Sequence, residues 1–263
     1  MSPIPLRIYL TGRVAIESGS QLVDQDAFPG KQGVVAFARL LLPRELAVSR
    51  DELASVLWPG GPPGAWEVAL NSIISKLRVL LARVGIEKRA VEAALGCYQV
   101  KLPARTWVDA DAAFVALHEA EGLHRMHRYR EAYCAAQIAY HVCKRPFLPG
   151  ESGSWVVQQR ERFALGFARA GECLADIYLW NHEPAVAADL TEQVIANHPF
   201  RETAYQLLMR AHAAGGNRAA ALHAYERCRK LLADELGVSP SSQTTAVQVD
   251  ILRGNTGIDR QTP

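Results

Sequence analysis

Six polar side chains between residues 71 and 83 have the types and spacing to hydrogen-bond with an acceptor-rich partner. At 100° per residue they share one side of a predicted helix, and no carboxylate lies among them. Lys and Arg can donate to guanine N7 and O6, Asn can pair with adenine, and hydroxyls or further cations can hold phosphates. This face therefore suits non-covalent recognition of a nucleic acid. The six residues are Asn71, Ser72, Ser75, Lys76, Arg78 and Arg83.

The other side of the same segment carries the residues that fold it. In "LNSIISKLRVLLARV", residues 70–84, apolar side chains recur at the spacing of one helix face, which predicts an amphipathic helix packed on a core. The alternative interpretation is that Lys76 and Arg78 only solvate the helix. The neighbouring elements are therefore needed to distinguish the two roles. The apolar stripe consists of Leu70, Ile74, Leu77, Leu81 and Val84, with Ile73 and Leu80 on its edge.

A sharp turn separates this helix from the one before it. Ser49, followed three residues later by Glu52, is a capping box that opens a short helix. The stretch "PGGPPG" at residues 59–64 then interrupts the helical pattern. Two helices joined by such a turn predict a helix-turn-helix, in which the second helix enters the major groove of DNA.

A wing is predicted after this pair of helices. Gly96 marks a turn, and apolar or aromatic residues alternate with polar ones over residues 98–102, as in a strand. A wing can contact phosphates or sugars of the minor groove, and packing within the protein is the alternative role for its residues. The wing residues with suitable side chains are Tyr98, Gln99 and Lys101.

The elements before the pair of helices complete the domain. Short strands are predicted at residues 6–23 and a helix at residues 30–42. A strand hairpin, three helices and a closing hairpin follow the order of a winged helix-turn-helix with an N-terminal sheet. The sequence therefore predicts an α+β winged helix-turn-helix as a DNA-binding domain at residues 1–103.

Only helices are predicted from Asp109 onward. Segments beginning at Glu183 and Asn217 align at an offset of 34 residues, the tetratricopeptide period, with Ala187 and Ala221 in register. This pattern predicts an all-α, tetratricopeptide-like domain at residues 104–256, followed by a flexible tail at residues 257–263. Repeats of this kind form concave binding surfaces.

The composition is that of an ordinary globular protein. Residues 1–101 hold twelve Lys or Arg and nine Asp or Glu, so the excess of positive charge behind the net charge of +2 lies in this first part of the chain. Five cysteines without a CxxC pair predict reduced core thiols rather than a disulfide or zinc framework. Because neither a membrane-spanning stretch nor a signal peptide is present, a cytoplasmic protein without a membrane partner is predicted.

Motifs for catalysis and for cofactors are weak or missing in the sequence. The stretch "PGKQG" holds a Gly-Lys pair without the rest of a phosphate loop, and neither GxSxG nor HExxH occurs. His118, His124 and His127 lie close together, but solvated histidines near a helix end are favoured over a metal site. We predict no enzyme activity, no cofactor and no metal.

The two halves together resemble one family of bacterial regulators. "SRDELASVLWPGGPPGAWEVALNSIISKLRVLL" resembles the helix-turn-helix of SARP-type transcriptional activators, whose recognition helix ends in Ser-(Arg/Lys)-Leu-Arg, here residues 75–78. "PFLPGESGSWVVQQRERF" and "AALHAYERCRKLLADELGVSPSSQT" resemble the bacterial transcriptional activator domain of the same family. The resemblance covers residues 6–253. It departs at residues 68–70, where Val-Ala-Leu replaces the Asn-Thr-Leu of many members.

The resemblance implies a function and a set of partners. A member is expected to be an activator that binds double-stranded promoter DNA through an OmpR-like winged helix, as head-to-tail protomers on direct repeats. It is expected to recruit RNA polymerase, including its sigma factor. Because one small winged helix buries too little surface for tight specific binding, at least a homodimer is expected on DNA.

Two alternatives come from other classes of protein. A tetratricopeptide-like adaptor would bind a peptide or protein, but it would not need the carboxylate-free face at residues 71–83. A ligand-sensing module would need a pocket, which aromatic residues of the second half could line, although aromatic residues at helical spacing usually belong to the core. Those aromatic residues are Trp155, Tyr178, Trp180 and Tyr205.

Overall fold

The computed structural model describes residues 6–42 and 46–254 of the chain. These residues form two compact units. The first runs to Phe114 and also includes Val142–Phe163, and the second combines Val115–His141 with the chain from Ala164 onward. The domain limit at residue 103 stays a prediction, and the tail predicted at residues 257–263 lies outside the described residues.

Short strands of the first unit form two sheets. In chain order they are β1 (Leu6–Tyr9), β2 (Ala15–Ser18), β3 (Gln21–Asp24), β4 (Val48–Ser49), β5 (Val91–Ala94), β6 (Cys97–Val100) and β7 (Trp107–Val108). One sheet has the order β3-β2-β1-β7 and the other the order β4-β6-β5. The strands predicted at residues 6–23 are confirmed, whereas β7, which lies parallel to β1, was not predicted.

Three helices stand between these strands, namely α1 (Gly30–Leu41), α2 (Arg50–Leu57) and α3 (Trp66–Arg83). The Ser49 hydroxyl accepts a hydrogen bond from the Glu52 amide at 3.1 Å, so Ser49 caps α2 as predicted. The Glu52 carboxylate pairs with the largely buried Arg39 of α1. The cap and the ion pair together fix the start of α2 against α1.

The apolar stripe of α3 is buried in the core of the first unit. All seven predicted stripe residues are inaccessible or nearly so, which confirms the predicted core face. Burying one such side chain stabilises a fold by about 1.5–3 kcal/mol, so the stripe firmly sets the rotation of the helix. Consequently, the opposite side of α3 faces solvent.

A segment from the second half of the sequence completes the first unit. The amide of Gly12 donates to the carbonyl of Pro146, and the amide of Leu148 donates to the carbonyl of Leu10, each at 2.9 Å. The Arg160 guanidinium holds the segment in shape by donating to three of its backbone carbonyls. One of the blocks that resembles the activator domain therefore packs beside the N-terminal sheet.

Helices build the second unit. They are α4 (Asp109–Arg125), α5 (Tyr129–Cys143), α6 (Ser154–Trp180), α7 (Pro184–Asn197), α8 (Glu202–Ala214), α9 (Arg218–Leu236) and α10 (Ser242–Leu252), of which the first three also contribute to the first unit. Glu183 and Asn217 directly precede α7 and α9, and Ala187 and Ala221 are fully buried at equivalent positions. The predicted repeat of helix pairs is confirmed.

The cysteines of the chain are all free thiols. Cys143, Cys173 and Cys228 are buried, and burial raises the pKa of Cys173 to about 12 and that of Cys228 to about 11, which keeps both protonated. Cys97 is half-buried and Cys134 is exposed, so the prediction of core thiols holds for three of the five.

The fold class agrees with the sequence prediction. The first unit contains an α+β winged helix-turn-helix, and the second unit is all-α and tetratricopeptide-like. Among the described helices, none has the length and apolar character needed to cross a membrane. Within the same residues, no group of three or more His, Cys, Asp or Glu side chains is placed to hold a metal ion.

Candidate nucleic-acid interface

The turn between α2 and α3 sets how α3, the predicted recognition helix, is presented. The Gly61 amide donates to the carbonyl of Trp58, and the Trp66 amide donates to the carbonyl of Pro63, each at 2.9 Å. Gly61 has a φ of +103°, a conformation that favours glycine. With the turn closed and the apolar stripe of α3 buried, the polar face of α3 is fixed on the surface.

Five of the six predicted recognition residues of α3 are exposed. They are Asn71, Ser72, Ser75, Lys76 and Arg83. Three of them, Ser75, Lys76 and Arg83, line a cleft of about 260 Å³ whose other wall includes Pro29, just before α1. Neither Lys76 nor Arg83 has an ion-pair partner among the described residues. The cleft therefore presents two unneutralised cations and a hydroxyl to an approaching phosphate.

Tyr98 does not reach solvent, in contrast to the prediction that it contacts DNA. It is 3% exposed, because alternation along β6 turns Tyr98 and Val100 inward. Its hydroxyl donates to Asn71 Oδ1 at 2.8 Å, and the Arg50 guanidinium lies 5.9 Å from its ring. Tyr98 therefore joins the wing to α3, and Asn71, which is itself exposed, is oriented by this bond.

Arg78 was predicted to point away from the protein, but its side chain turns toward the wing. It is half-buried, and its Nε and Nη2 donate to the carbonyl oxygen of Val91 at 3.0 and 2.8 Å. Val91 is the first residue of β5, so the guanidinium clamps the wing onto α3. In this arrangement Arg78 is a positioning residue, and its predicted contact with DNA stays a prediction.

Replacing Arg78 by Ala is expected to lower the free energy of unfolding by about 1.5–3 kcal/mol, the usual effect of losing a hydrogen bond from a charged group. Urea unfolding of the full chain measures this loss. Arg83→Ala is the matched control, since Arg83 is exposed on the same helix, and it should leave stability unchanged. Unchanged stability of the Arg78→Ala variant, together with a large loss of DNA affinity, would show instead that Arg78 faces DNA.

The remaining wing residues lie closer to solvent. Gln99 is half-buried on β6, and Lys101 is exposed. Lys101 forms an ion pair with Glu92 at 2.7 Å, which partly neutralises its charge. Contacts of Gln99 and Lys101 with DNA stay predictions.

Two residues that the sequence analysis did not select stand beside this surface. Arg50, the first residue of α2, lies within 3.4 Å of Asn71, and its buried Nε has no hydrogen-bond partner. Val68, in the first turn of α3, is 70% exposed although it is apolar. The capping motif drew attention to Ser49 rather than to Arg50, and only the departure from the family pattern marked Val68.

Comparison with known proteins identifies the family. The bacterial transcriptional activator domain matches residues 108–252, more than half of the chain. The transcriptional regulatory protein MoaR1 of Mycobacterium tuberculosis is 31% identical over 240 aligned residues, covering 86% of this chain and 72% of MoaR1. The chain belongs to the SARP family of transcriptional regulators.

Another similar protein is the transcriptional regulatory protein EmbR of M. tuberculosis. It is 29% identical over 86% of this SARP chain, which spans 58% of the length of EmbR. A solved structure of EmbR, in complex with a low affinity phosphopeptide, matches with a TM-score of 0.86 over 94% of this chain and 65% of that one. At 24% identity, this likeness shows the fold alone.

Proposed function

We propose that the protein is a sequence-specific DNA-binding transcriptional regulator, an activator that binds promoter repeats through its winged helix. The observation that carries the proposal is the exposed face of α3, where neither Lys76 nor Arg83 has an ion-pair partner among the described residues and no carboxylate lies between residues 71 and 83. An adaptor that used this unit only for packing would not need such a face. The family assignment supports the same conclusion.

Distinct tasks can be assigned to the residues of this face. Asn71, Ser72, Ser75 and Lys76 have groups that can donate to base edges in the major groove, and Arg83 suits the phosphate backbone. Arg50 is a further candidate for a phosphate contact, because its Nη2 lies 3.4 Å from the Oδ1 of the exposed Asn71, at the edge of this face. Arg78 and Tyr98 hold the wing and thereby set the shape of the surface.

The assembly and its partners form the second part of the proposal. One winged helix offers limited contact area, so two protomers on a direct repeat are needed for tight specific binding. We assign residues 1–103 to DNA binding and residues 104–256 to activation, through recruitment of RNA polymerase and its sigma factor. The protein acts in the cytoplasm, where promoter DNA is accessible, and needs neither a catalytic activity nor a cofactor for this task.

Selection from a pool of randomised DNA duplexes tests the proposal. The expected result is an enriched sequence with two copies of one half-site in the same orientation, bound in a gel-shift titration. A single half-site would argue against the dimer, and an inverted arrangement would argue against head-to-tail protomers. If no duplex were retained while peptides or proteins were, the adaptor alternative would replace this function.

The affinity for DNA is expected to fall steeply with salt, because each phosphate that is neutralised releases counterions. If Lys76, Arg83 and Arg50 each neutralise one phosphate, one protomer gives a slope of about −2.7 for log K against log salt concentration. Fluorescence anisotropy with a labelled duplex between low and physiological salt measures this slope. A flat profile would contradict DNA binding through this surface.

A further inference from the structure

A polar cavity lies within the second compact unit, and none of its lining residues belongs to the winged helix. It has a volume of about 520 Å³ and is lined by side chains of α4, α6 and α8. This volume lies within the range of about 300–1,000 Å³ that is usual for sites of small molecules. The aromatic residues that the sequence suggested for a pocket are not among its lining, which is mainly charged.

The carboxylates of this cavity are already engaged. Arg169 donates to both oxygens of Glu121 at 2.6 Å. Arg201 donates to both oxygens of Glu172, at 2.6 and 2.7 Å. The third carboxylate, Asp176, lies 3.1 Å from the Nε2 atom of His124. These bonds tie α4 and α8 to α6, and they leave no lining carboxylate free to neutralise a further cation.

Two cations of the lining remain without such a partner. Arg125 of α4 and Arg210 of α8 have neither an ion pair nor a side-chain hydrogen bond among the described residues. Arg210 is half-buried, so part of its hydration has been lost without replacement. With four Arg and three carboxylates in the lining, the formal charge is +1 when His124 is neutral.

This arrangement of charges suits the binding of an anion. A guanidinium presents N–H donors in a planar fork that matches the oxygens of a carboxylate or phosphate group. The paired arginines, Arg169 and Arg201, keep the walls in place, while the unpaired ones on two different helices supply free donors. Small size and net positive charge both favour a compact anionic ligand over an extended peptide.

We propose that the cavity between α4, α6 and α8 binds a small anionic effector, whose phosphate or carboxylate group is held by Arg125 and Arg210. The shared chemistry of both ligand types is an oxyanion with at least two acceptor oxygens. Thr203 and Gln206 also line the cavity, but their side chains already donate to Glu172 and to Thr244, so the free donors are those of Arg125 and Arg210. None of these residues belongs to the proposed DNA-binding face.

Calorimetric titration of the full chain with inorganic phosphate, pyrophosphate and citrate, at constant ionic strength, tests the proposal. We expect saturable binding of at least one anion at concentrations up to about 10 mM, a range that includes millimolar dissociation constants. Preference for pyrophosphate would identify a phosphorylated effector, and preference for citrate a carboxylated one. Failure of all three anions to bind would overturn the proposal, and binding of an acidic peptide alone would replace it with peptide docking.

Variants locate the bound anion. Arg210→Gln is expected to weaken binding at least about tenfold, the effect of losing hydrogen bonds from a charged group. Arg125→Gln, at an exposed position that folding does not need, should act in the same direction. Arg253→Gln removes an exposed cation elsewhere and should leave binding unchanged. Equal binding by wild type, Arg125→Gln and Arg210→Gln would show that the anion lies outside this cavity.

Discussion

Replacing Lys76 by Glu is expected to lower the affinity for a selected DNA duplex by about 100-fold, a loss of about 2.7 kcal/mol of binding free energy. Lys76 is exposed on α3, the proposed recognition helix, and has no ion-pair partner among the described residues, so its whole charge is available to a duplex. The substitution removes a donor to a base or phosphate and places a negative charge against the duplex. Each of these two effects contributes to the loss.

A matched control separates this local effect from the change in net charge. Lys230→Glu alters the net charge equally, at an exposed position on α9. It should bind the duplex as tightly as wild type. Circular dichroism should show the same helical content for all three proteins, because both lysines lie outside the core. Equal affinity of the Lys76→Glu variant and wild type would contradict the assignment of α3 as the recognition helix.

The parts of the fold that could be predicted are those governed by local periodicity. The stripe of α3 follows from the 3.6-residue repeat, and each of its members is buried. The burial of Ala187 and Ala221 follows from the 34-residue offset between two helical segments. Small side chains at these equivalent positions fit the close contact between helices. Such patterns can be recognised from residues that lie close together in the sequence.

The parts that could not be predicted depend on contacts between distant residues. Arg78 turns toward the protein because the carbonyl of Val91 lies within its reach, 13 residues away in sequence. Tyr98 is buried because it shares the inward side of β6 with Val100, and its hydroxyl finds an acceptor in Asn71, 27 residues away in sequence. A helical projection shows which residues share a side, but it does not show what stands opposite the flank of a helix.

The same limit applies to the organisation of the chain. The first unit recruits Val142–Phe163 from the second half of the sequence, by backbone hydrogen bonds between Leu148 and Leu10 and between Gly12 and Pro146. Backbone pairing of this kind leaves little trace in residue types. A resemblance that assigns the block to the activator domain therefore says nothing about which unit it packs with.

Replacing Asp109 by Ala is expected to lower the free energy of unfolding by about 3 kcal/mol or more, since each buried donor left unpaired costs about 1–3 kcal/mol. Asp109 begins α4 and is 0% exposed. Its carboxylate accepts hydrogen bonds from the amides of Leu10, Thr11 and Ala110, and from the Thr11 hydroxyl, at 2.7–2.9 Å. One side chain thus joins the end of β1 to the start of α4.

Urea unfolding followed by circular dichroism measures this loss. Asp26→Ala is the control, because Asp26 is an exposed acid of the same unit, and its removal should change stability little. The free energy of unfolding of Asp109→Asn should lie between those of wild type and Asp109→Ala. The Asn amide keeps one acceptor oxygen, but it turns two N–H donors toward groups that are donors themselves. A loss below 1 kcal/mol for Asp109→Ala would mean that water replaces the carboxylate.

The pH dependence of the same variants distinguishes burial from hydrogen bonding. Burial raises the pKa of the Asp109 carboxyl above its ordinary value of 3.8, although the bonds from Thr11, Leu10 and Ala110 act in the opposite direction. A carboxyl whose pKa is raised by folding contributes stability that is fully present below its ordinary pKa and is lost as the pH rises through the folded value. The difference in free energy of unfolding between wild type and Asp109→Asn should therefore be larger in acid than at neutral pH. A difference that grows with rising pH would show that the four hydrogen bonds outweigh burial.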